Sequence, residues 1–154
     1  MAGRGLDGVV PRITNRYAFL SSRLRPFTAA GPPAYRLRMA QGDDISVRVN
    51  FGAPFPVFPL QHVVLLPHGL VSLYIFEDRY RQMISRALDS SGQIALAVFD
   101  GDAFLSNYTG SPPVRPAVCV GQIAQHVQNA DGTYNIALQG VCRAELVREH
   151  APDA

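Results

Sequence analysis

Lysine is absent from this chain: all 14 of its basic residues are arginine. A Walker A loop, a Schiff-base enzyme and a serine–lysine dyad each need a lysine amine as ligand, nucleophile or base. Arginine does not replace it as a base, because the guanidinium group stays protonated. The composition therefore excludes these three kinds of catalytic site.

Long apolar runs are also absent. Val63–Leu66, Val71–Phe76 and Ile94–Phe99 have the length of strands, whereas a membrane-spanning helix needs about 20 apolar residues. The N-terminus has no apolar segment of the kind that directs secretion. We therefore expect a soluble, cytoplasmic protein without a membrane partner, and the apolar content of 47% is typical of a packed globule.

Cysteine is scarce. The two cysteines, Cys119 and Cys142, both lie in strand-like runs. Buried thiols in a reducing compartment stay free, so we expect no disulfide.

No segment carries a complete catalytic or metal-binding motif. Gly3–Gly8 matches the dinucleotide pattern GxGxxG, but no strand precedes it and no helix follows it. Asn107–Thr109 is a glycosylation sequon, which has no role without secretion. The four histidines lack the spacing of a zinc site; they are His62, His68, His126 and His150. Asp100 and Asp102 lack the later ligands of a calcium loop.

Carboxylates at the start of a predicted helix, Glu77 and Asp78, stand beside Arg79. Such residues are usually caps and surface ion pairs rather than acid–base catalysts. We therefore expect no catalytic residue, no metal and no cofactor, and the sequence does not identify the residues of a substrate-binding site.

Charge and composition divide the chain. Residues 1–38 contain seven arginines and one acid, whereas residues 39–154 contain seven arginines and eleven acids. Residues 1–54 are rich in Gly, Pro, Ala and Arg without periodicity, so we expect them to be largely disordered. They could be a transit peptide, a flexible basic arm, or a segment upstream of a true start at Met39. We favour Met39, because four prolines interrupt the amphipathic helix that a transit peptide needs.

Short apolar runs from Phe55 onward predict strands. Phe55–Leu60 contains two prolines and is suited to an edge strand. Val63–Leu66 predicts a short buried strand that ends in the turn Pro67–Gly69. Leu70–Phe76 alternates, with Val71, Leu73 and Ile75 on one face and Ser72, Tyr74 and Phe76 on the other.

The period then changes to that of a helix. One apolar stripe is formed by Tyr80, Met83, Ile84, Ala87 and Leu88. Acidic residues lie at its positive end, and Glu77 precedes Arg81 by four residues, which favours an ion pair. Ser90–Gly92 ends the helix.

The remaining chain predicts strands and loops. Ile94–Phe99 is an apolar strand, and a polar loop follows from Asp100 to Pro116. Ala117–Val127 and Thr133–Gln139 flank the turn Asn129–Gly132, which predicts a β-hairpin. A last strand, Val141–Arg148, follows Gly140.

Two blocks of this sequence resemble the LON substrate-binding domain, the N-terminal module of Lon proteases. The first is FPVFPLQHVVLLPHGLVSLYIFEDRYRQMI, from Phe55 to Ile84. The second runs from Val120 through Asp131–Ile136 to Gly140–Arg143. The resemblance covers residues 55–149, so we expect residues 55–154 to be such a domain, a member of the peptidase S16 family by association only. Because relatives continue with further strands, an ATPase and a Ser–Lys peptidase, we expect it to be C-terminally incomplete.

The resemblance implies a fold and a role. The implied fold is mixed α/β and β-rich: a PUA-like pseudo-barrel of about six strands with one packed helix. The implied role is non-catalytic recognition of protein or peptide clients, unfolded or degron-bearing, or of a partner in a protease complex. Two positions differ from the usual pattern, since Leu66 replaces a phenylalanine and Ser72 a common proline.

Two other hypotheses stay open. PUA-like barrels elsewhere bind RNA, and residues 1–38 are arginine-rich, but the net charge of −4 in residues 39–154 argues against a nucleic-acid partner. The chain could also be a truncated product without independent activity.

Overall fold

The computed structural model describes residues 21–26, 35–38, 44–102 and 113–150. These residues form eight strands and one helix. The elements are β1 (Ser21–Pro26), β2 (Tyr35–Arg38), β3 (Asp44–Val47), β4 (Phe55–Leu60), β5 (Leu70–Ile75), α1 (Asp78–Leu88), β6 (Gln93–Val98), β7 (Ala117–Gln128) and β8 (Tyr134–His150).

Six of the strands form one sheet, in the order β1-β4-β6-β7-β8-β5. A further pairing between β1 and β8 closes five of them into a barrel and leaves β5 outside it, on β8. β2 and β3 form a separate antiparallel pair. The predicted β-rich pseudo-barrel, with about six strands and one helix, is confirmed.

Side chains on the two faces of this sheet form two apolar clusters, because neighbouring residues of a strand point to opposite sides. Phe58 and Leu96 belong to the first cluster, together with the buried face of α1. Val57 and Ala95, each next to one of these, belong to the second cluster. Both faces of the central strands are therefore buried, in agreement with their almost uninterrupted apolar sequences.

α1 confirms the predicted helix. Tyr80, Met83, Ile84 and Ala87 are buried and Leu88 packs against the same cluster. The helix ends at Leu88. Gly92, just beyond it, adopts a φ of 67° and donates its N–H to the Ala87 carbonyl over 2.7 Å.

The predicted ion pair between Glu77 and Arg81 is wrong. Arg81 pairs instead with Asp78, three residues before it. Glu77 pairs with Arg79 at 2.9 Å. The predicted and the observed arrangements both pair an arginine with a carboxylate at the helix start, and they differ in which residues are partners.

β8 joins two predicted strands into a single strand of 17 residues. Gly140 was expected to separate them, but the pairing with β7 continues past it with a register shift between Val120 and Gly121. An extra residue in one strand of a pair is a β-bulge, and glycine at such a site permits close approach of another backbone. The preceding hairpin is confirmed, with Gly132 of the turn at a φ of 81° and its N–H donated to the Asn129 carbonyl over 2.9 Å.

The predicted strand Val63–Leu66 is wrong. These residues form no strand, although the chain alternates there: Leu65 is buried, while Val64 and Leu66 are exposed. The turn that follows is confirmed, since Gly69 N–H donates to the Leu66 carbonyl over 2.9 Å and His68 adopts a φ of 65°.

β4 has the predicted bounds but lies between β1 and β6 rather than at an edge. Its first two residues pair with β1, and Val57–Leu60 pairs in parallel with β6. Each side of the strand is therefore only partly hydrogen-bonded to another described strand, which is compatible with the two prolines.

The described parts of residues 1–54 differ from the expectation of disorder. β1 pairs with β8 at six positions and buries Leu24. Val47 and Val49 are also buried, and the Gln93 side-chain amide donates to the Arg48 carbonyl over 2.9 Å. The other residues before 44, Met39 included, and residues 103–112 of the predicted polar loop lie outside the described ranges.

Candidate binding surface

The polar residues singled out in the sequence do not come together in a reactive site. Within the described ranges, no group of three or more His, Cys, Asp and Glu side chains could hold a metal ion. Asp100 faces Arg115 at 3.8 Å, and Asp102 is exposed. Gly3–Gly8, Asn107–Thr109 and the side chain of His150 lie outside the described residues.

The carboxylate–arginine group at the start of α1 is built into the packing. Arg79 is 9% exposed, pairs with Glu77, and lies with its guanidinium carbon 4.4 Å from the centre of the Tyr80 ring. Tyr80 in turn packs on Phe58, with 4.5 Å between the ring centres. Glu77 stands at the N-cap position but makes no side-chain cap hydrogen bond. These contacts hold the start of the helix against the first apolar cluster.

The two cysteines, Cys119 and Cys142, are both buried thiols. Loss of hydration on burial, followed by the neighbouring Cys142, raises the pKa of the Cys119 thiol to about 12. A thiol with this pKa is protonated at neutral pH and is a poor nucleophile.

Large apolar side chains are exposed on and around β5. The exposed fraction of each lies between 55% and 67%. We call these residues the apolar edge surface: Val64, Leu66, Leu70, Tyr74, Phe76 and Val127. Apolar groups of this size on a protein surface often mark an interaction site.

β5 presents the central part of this surface. Its pairing with β8 turns Val71 and Leu73 toward the first apolar cluster and leaves Leu70, Ser72 and Tyr74 exposed. The rings of Tyr74 and Phe76 lie close to parallel, with centres 6.0 Å apart and an angle of 29° between their planes.

An open groove of about 380 Å³ runs across the outer face of β5, β8 and β7. The pairing places Tyr74 beside Asn135 and Asn135 beside Val127, so that the three form one row across the sheet. The lining residues carry no carboxylate, lysine or arginine; they are Ser72, Leu73, Tyr74, Gln125, His126, Val127, Asn135, Ile136 and Ala137.

The segment before β5 is held against the sheet. His68 N–H donates to the Gly140 carbonyl, and Gly140 N–H donates to the Gly69 carbonyl, each over 2.8 Å. Leu65 anchors the segment in the first cluster. Val64 and Leu66 are thus presented to solvent from a fixed backbone.

No residue of this surface was predicted from the sequence to be a binding residue. The alternation of Leu70–Phe76 did indicate that Tyr74 and Phe76 share a face, opposite that of Val71, Leu73 and Ile75. It gave no signal for Val127, which reaches the same groove only through the pairing of β7 with β8.

α1 has 11 residues, and no helix among the described residues combines the length and apolarity needed to span a bilayer.

Comparisons with known proteins agree on one family. The family model of the ATP-dependent protease La (LON) substrate-binding domain matches residues 54–153. The Lon protease of Rhizobium meliloti is 30% identical over 100 residues, which are 62% of this chain and 12% of that protein. The Lon protease of Escherichia coli K12 is 29% identical over 94 residues, 59% of this chain and 11% of that protein. The chain thus spans about a tenth of the length of these relatives.

Two solved structures are similar to this chain. One is the Lon N-terminal domain protein from Xanthomonas campestris, with a TM-score of 0.44 and 21% identity, covering 65% of this chain and 61% of that one. The other is the N-terminal domain of the Mycobacterium avium complex Lon protease, with a TM-score of 0.44 and 22% identity, covering 65% and 55%.

Proposed function

Because this chain belongs to the family of ATP-dependent protease La (LON) substrate-binding domains, we propose that it is a non-catalytic recognition domain that binds unfolded or degron-bearing proteins. The observation that carries the proposal is the apolar edge surface. Its side chains are exposed although both faces of the central sheet are occupied by apolar clusters. Exposed apolar groups are favourable partners for the apolar segments that a folded protein buries and an unfolded one exposes.

The backbone that carries these side chains is held in place by hydrogen bonds, which supports the same proposal. Leu66 and Leu70 flank a turn that is hydrogen-bonded to Gly140, and Tyr74 lies in a paired strand. A preformed surface loses little conformational freedom when it binds, so more of the interaction energy appears as affinity.

Proteolysis is assigned to a separate partner in this proposal. The 154 residues contain no lysine for a Ser–Lys dyad or a nucleotide-binding loop. The domain would deliver clients to a protease complex, in a cytoplasmic setting consistent with its two free thiols.

The experiment that tests the proposal compares one client in two states. A disulfide-stabilised model protein is used in its native form and in its reduced, carboxymethylated form, which stays unfolded. Binding to the full chain is measured by fluorescence anisotropy. We expect the unfolded form to bind at least about tenfold more tightly, because only that form exposes apolar segments. Equal affinity for the two forms would contradict the proposal.

Two variants assign the binding to the surface. Tyr74→Ser combined with Phe76→Ser removes the stacked rings from an exposed position, so the fold should be retained. Val147→Ser is the matched control, because Val147 is 58% exposed but lies in the part of β8 that pairs with β1. We expect the double variant alone to weaken binding of the unfolded client.

A further inference from the structure

We propose that β5 binds its client by strand addition: an uncharged, extended peptide segment pairs antiparallel with the free edge of β5 and places apolar side chains over the groove. This inference rests on the proposed function and specifies how the client is held. It depends on the backbone of β5, the charge of the groove and the small side chain of Ser72.

The outer edge of β5 pairs with no other strand among the described residues. β5 is the terminal strand of the sheet and pairs only with β8 among the described strands. Gly140 N–H donates to the Gly69 carbonyl, and the register with β8 continues without a shift from Leu70 to Ile75. Antiparallel pairs alternate between hydrogen-bonded and non-hydrogen-bonded residues. Val71, Leu73 and Ile75 therefore bond to β8.

The backbone N–H and C=O groups of Leu70, Ser72 and Tyr74 point away from β8, toward the edge. An exposed row of donors and acceptors at this spacing is complementary to another extended backbone. The side chains of the same three residues are exposed on the outer face. A residue of the added strand that bonds to one of them would place its own side chain on that face too.

The groove defines the side chains that fit. Ser72, Ala137 and Gln125 form a row across the three strands, beside the row of Tyr74, Asn135 and Val127. Ser72 is small, so a long apolar or aromatic side chain opposite it reaches over it toward Ala137. Tyr74 and Val127, which have larger side chains than Ser72 and Ala137, lie along one side of this row.

The charge of the groove restricts the occupant further. Apart from the His126 imidazole and the Tyr74 phenol, no ionisable acid or base among the described residues lines it, so an acidic or basic client side chain would lose hydration without gaining a permanently charged partner. A neutral segment in which apolar side chains alternate with small polar ones fits the groove and the edge together.

The test on the protein removes one backbone donor. Ser72→Pro deletes the N–H that points to the edge and leaves the bonds between β5 and β8 intact, since proline is tolerated on edge strands. Ser72→Ala keeps the N–H and is the matched control. Because alanine also keeps the small side chain, we expect Ser72→Pro to bind the unfolded client roughly tenfold more weakly than Ser72→Ala does. Circular dichroism and thermal unfolding of each variant monitor the fold.

The second test changes the ligand and leaves the protein unchanged. It therefore tests strand addition even where Ser72→Pro fails to fold. The probe is a capped ten-residue peptide in which Phe or Val alternates with Ser or Gln. In the antiparallel arrangement the apolar residues have their N–H groups toward β5. Methylation of the backbone nitrogens of the apolar residues should therefore weaken binding roughly tenfold. Methylation of the nitrogens of the polar residues should have little effect.

The outcomes separate this proposal from the proposed function. If the wild-type chain does not prefer the unfolded client, the proposed function fails. If it does, but both methylated peptides bind alike or Ser72→Pro folds and binds as the wild type does, only strand addition is overturned. Analytical ultracentrifugation provides the remaining check: a dimer that Ser72→Pro dissociates would show that the edge pairs with a second copy of the chain and would also overturn the proposal.

Discussion

Gly140 occupies a point where two backbone segments meet. A Cβ atom at this position would lie 2.0 Å from the Leu66 carbonyl oxygen, far inside contact distance. The Gly140 carbonyl accepts a hydrogen bond from the His68 N–H, and the Gly140 N–H donates one to the Gly69 carbonyl. The absence of a side chain here is what allows the segment before β5 to lie flat on β8.

Replacing Gly140 by alanine should lower the free energy of unfolding by about 1–3 kcal/mol, because the new methyl group forces the two backbones apart. Urea unfolding followed by circular dichroism measures the change. Gly52→Ala is the matched control, since a Cβ there meets only the Asn50 side-chain oxygen, at 3.1 Å. A loss below about 0.5 kcal/mol in Gly140→Ala would mean that the segment moves away from β8 without consequence.

The pKa of Asp131, in the hairpin turn, depends on hydrogen bonds from one neighbouring residue. Its carboxylate accepts hydrogen bonds from the Thr133 hydroxyl at 2.7 Å and from the Thr133 N–H at 3.0 Å. These bonds, the hydroxyl first, hold the pKa of Asp131 below its usual value. Because this pKa is lower in the folded than in the unfolded state, the associated stability is present above the unfolded value and is lost as the pH falls through the folded one.

Thr133→Val should raise the pKa of Asp131 toward its usual value, since it removes the hydroxyl donor. Thr133→Ser keeps the donor and should keep the pKa low. A pH titration of the Asp131 side-chain carbon by NMR measures both. The valine variant should also lose less stability between neutral and acid pH. An unchanged pKa in Thr133→Val would assign the effect to the backbone N–H instead.

Elements with a clear local period were predicted from the sequence. The apolar stripe of α1 and the alternation of β5 can each be recognised within a short segment of sequence, because a helix or a half-buried strand repeats its burial at a fixed spacing. Leu65 and its neighbours show the limit of this reasoning. They alternate as a strand does, but no other described strand pairs with them, and two apolar side chains remain exposed.

The candidate site was predictable only in part, for a related reason. That Tyr74 and Phe76 share a face was predicted from the alternation of residues 70–76 alone. The groove requires β5, β8 and β7 side by side, and the free edge requires that no other strand pairs beyond β5. Both depend on contacts between distant parts of the chain, which a local pattern does not contain.

The apolar face of α1 should be essential to stability. Ile84→Ala should lower the free energy of unfolding by about 2–5 kcal/mol, because Ile84 is fully buried in the first cluster and its removal leaves a cavity. Gln82→Ala, on the exposed side of the same helix, should change it by less than about 0.5 kcal/mol. Chemical denaturation of the two variants provides the comparison, and similar losses in both would contradict the packing of α1.

At the scale of the whole molecule, closure of the barrel depends on β1. β1 pairs with β8 at six positions and with β4 at two, and so joins the two ends of the five-strand arrangement. None of this pairing was visible in the sequence, since Ser21–Pro26 has four polar residues and a proline and lies among Gly-, Pro- and Arg-rich stretches. The strand is specified by its partners more than by its own residues.

Residues 39–154 alone, which lack β1 and β2, should therefore unfold at a temperature lower by roughly 10 °C, or without a cooperative transition. The burial of Leu24 and two rows of backbone pairing would both be lost. Differential scanning calorimetry is the measurement, and residues 21–154, which retain β1, are the matched comparison. Equal transitions in the two would show that the barrel closes without β1 and would support a start at Met39.

The two halves of β8 bond to different strands, and this arrangement determines how the fold would respond to a pulling force. Its first half bonds to β5 and its second half to β1. A client drawn along the direction of β5 would pull that strand lengthwise past β8, which loads the bonds of the ladder together instead of opening them one after another. The same tension would pass along β8 into the closed part of the barrel. This geometry is suited to holding a chain under traction.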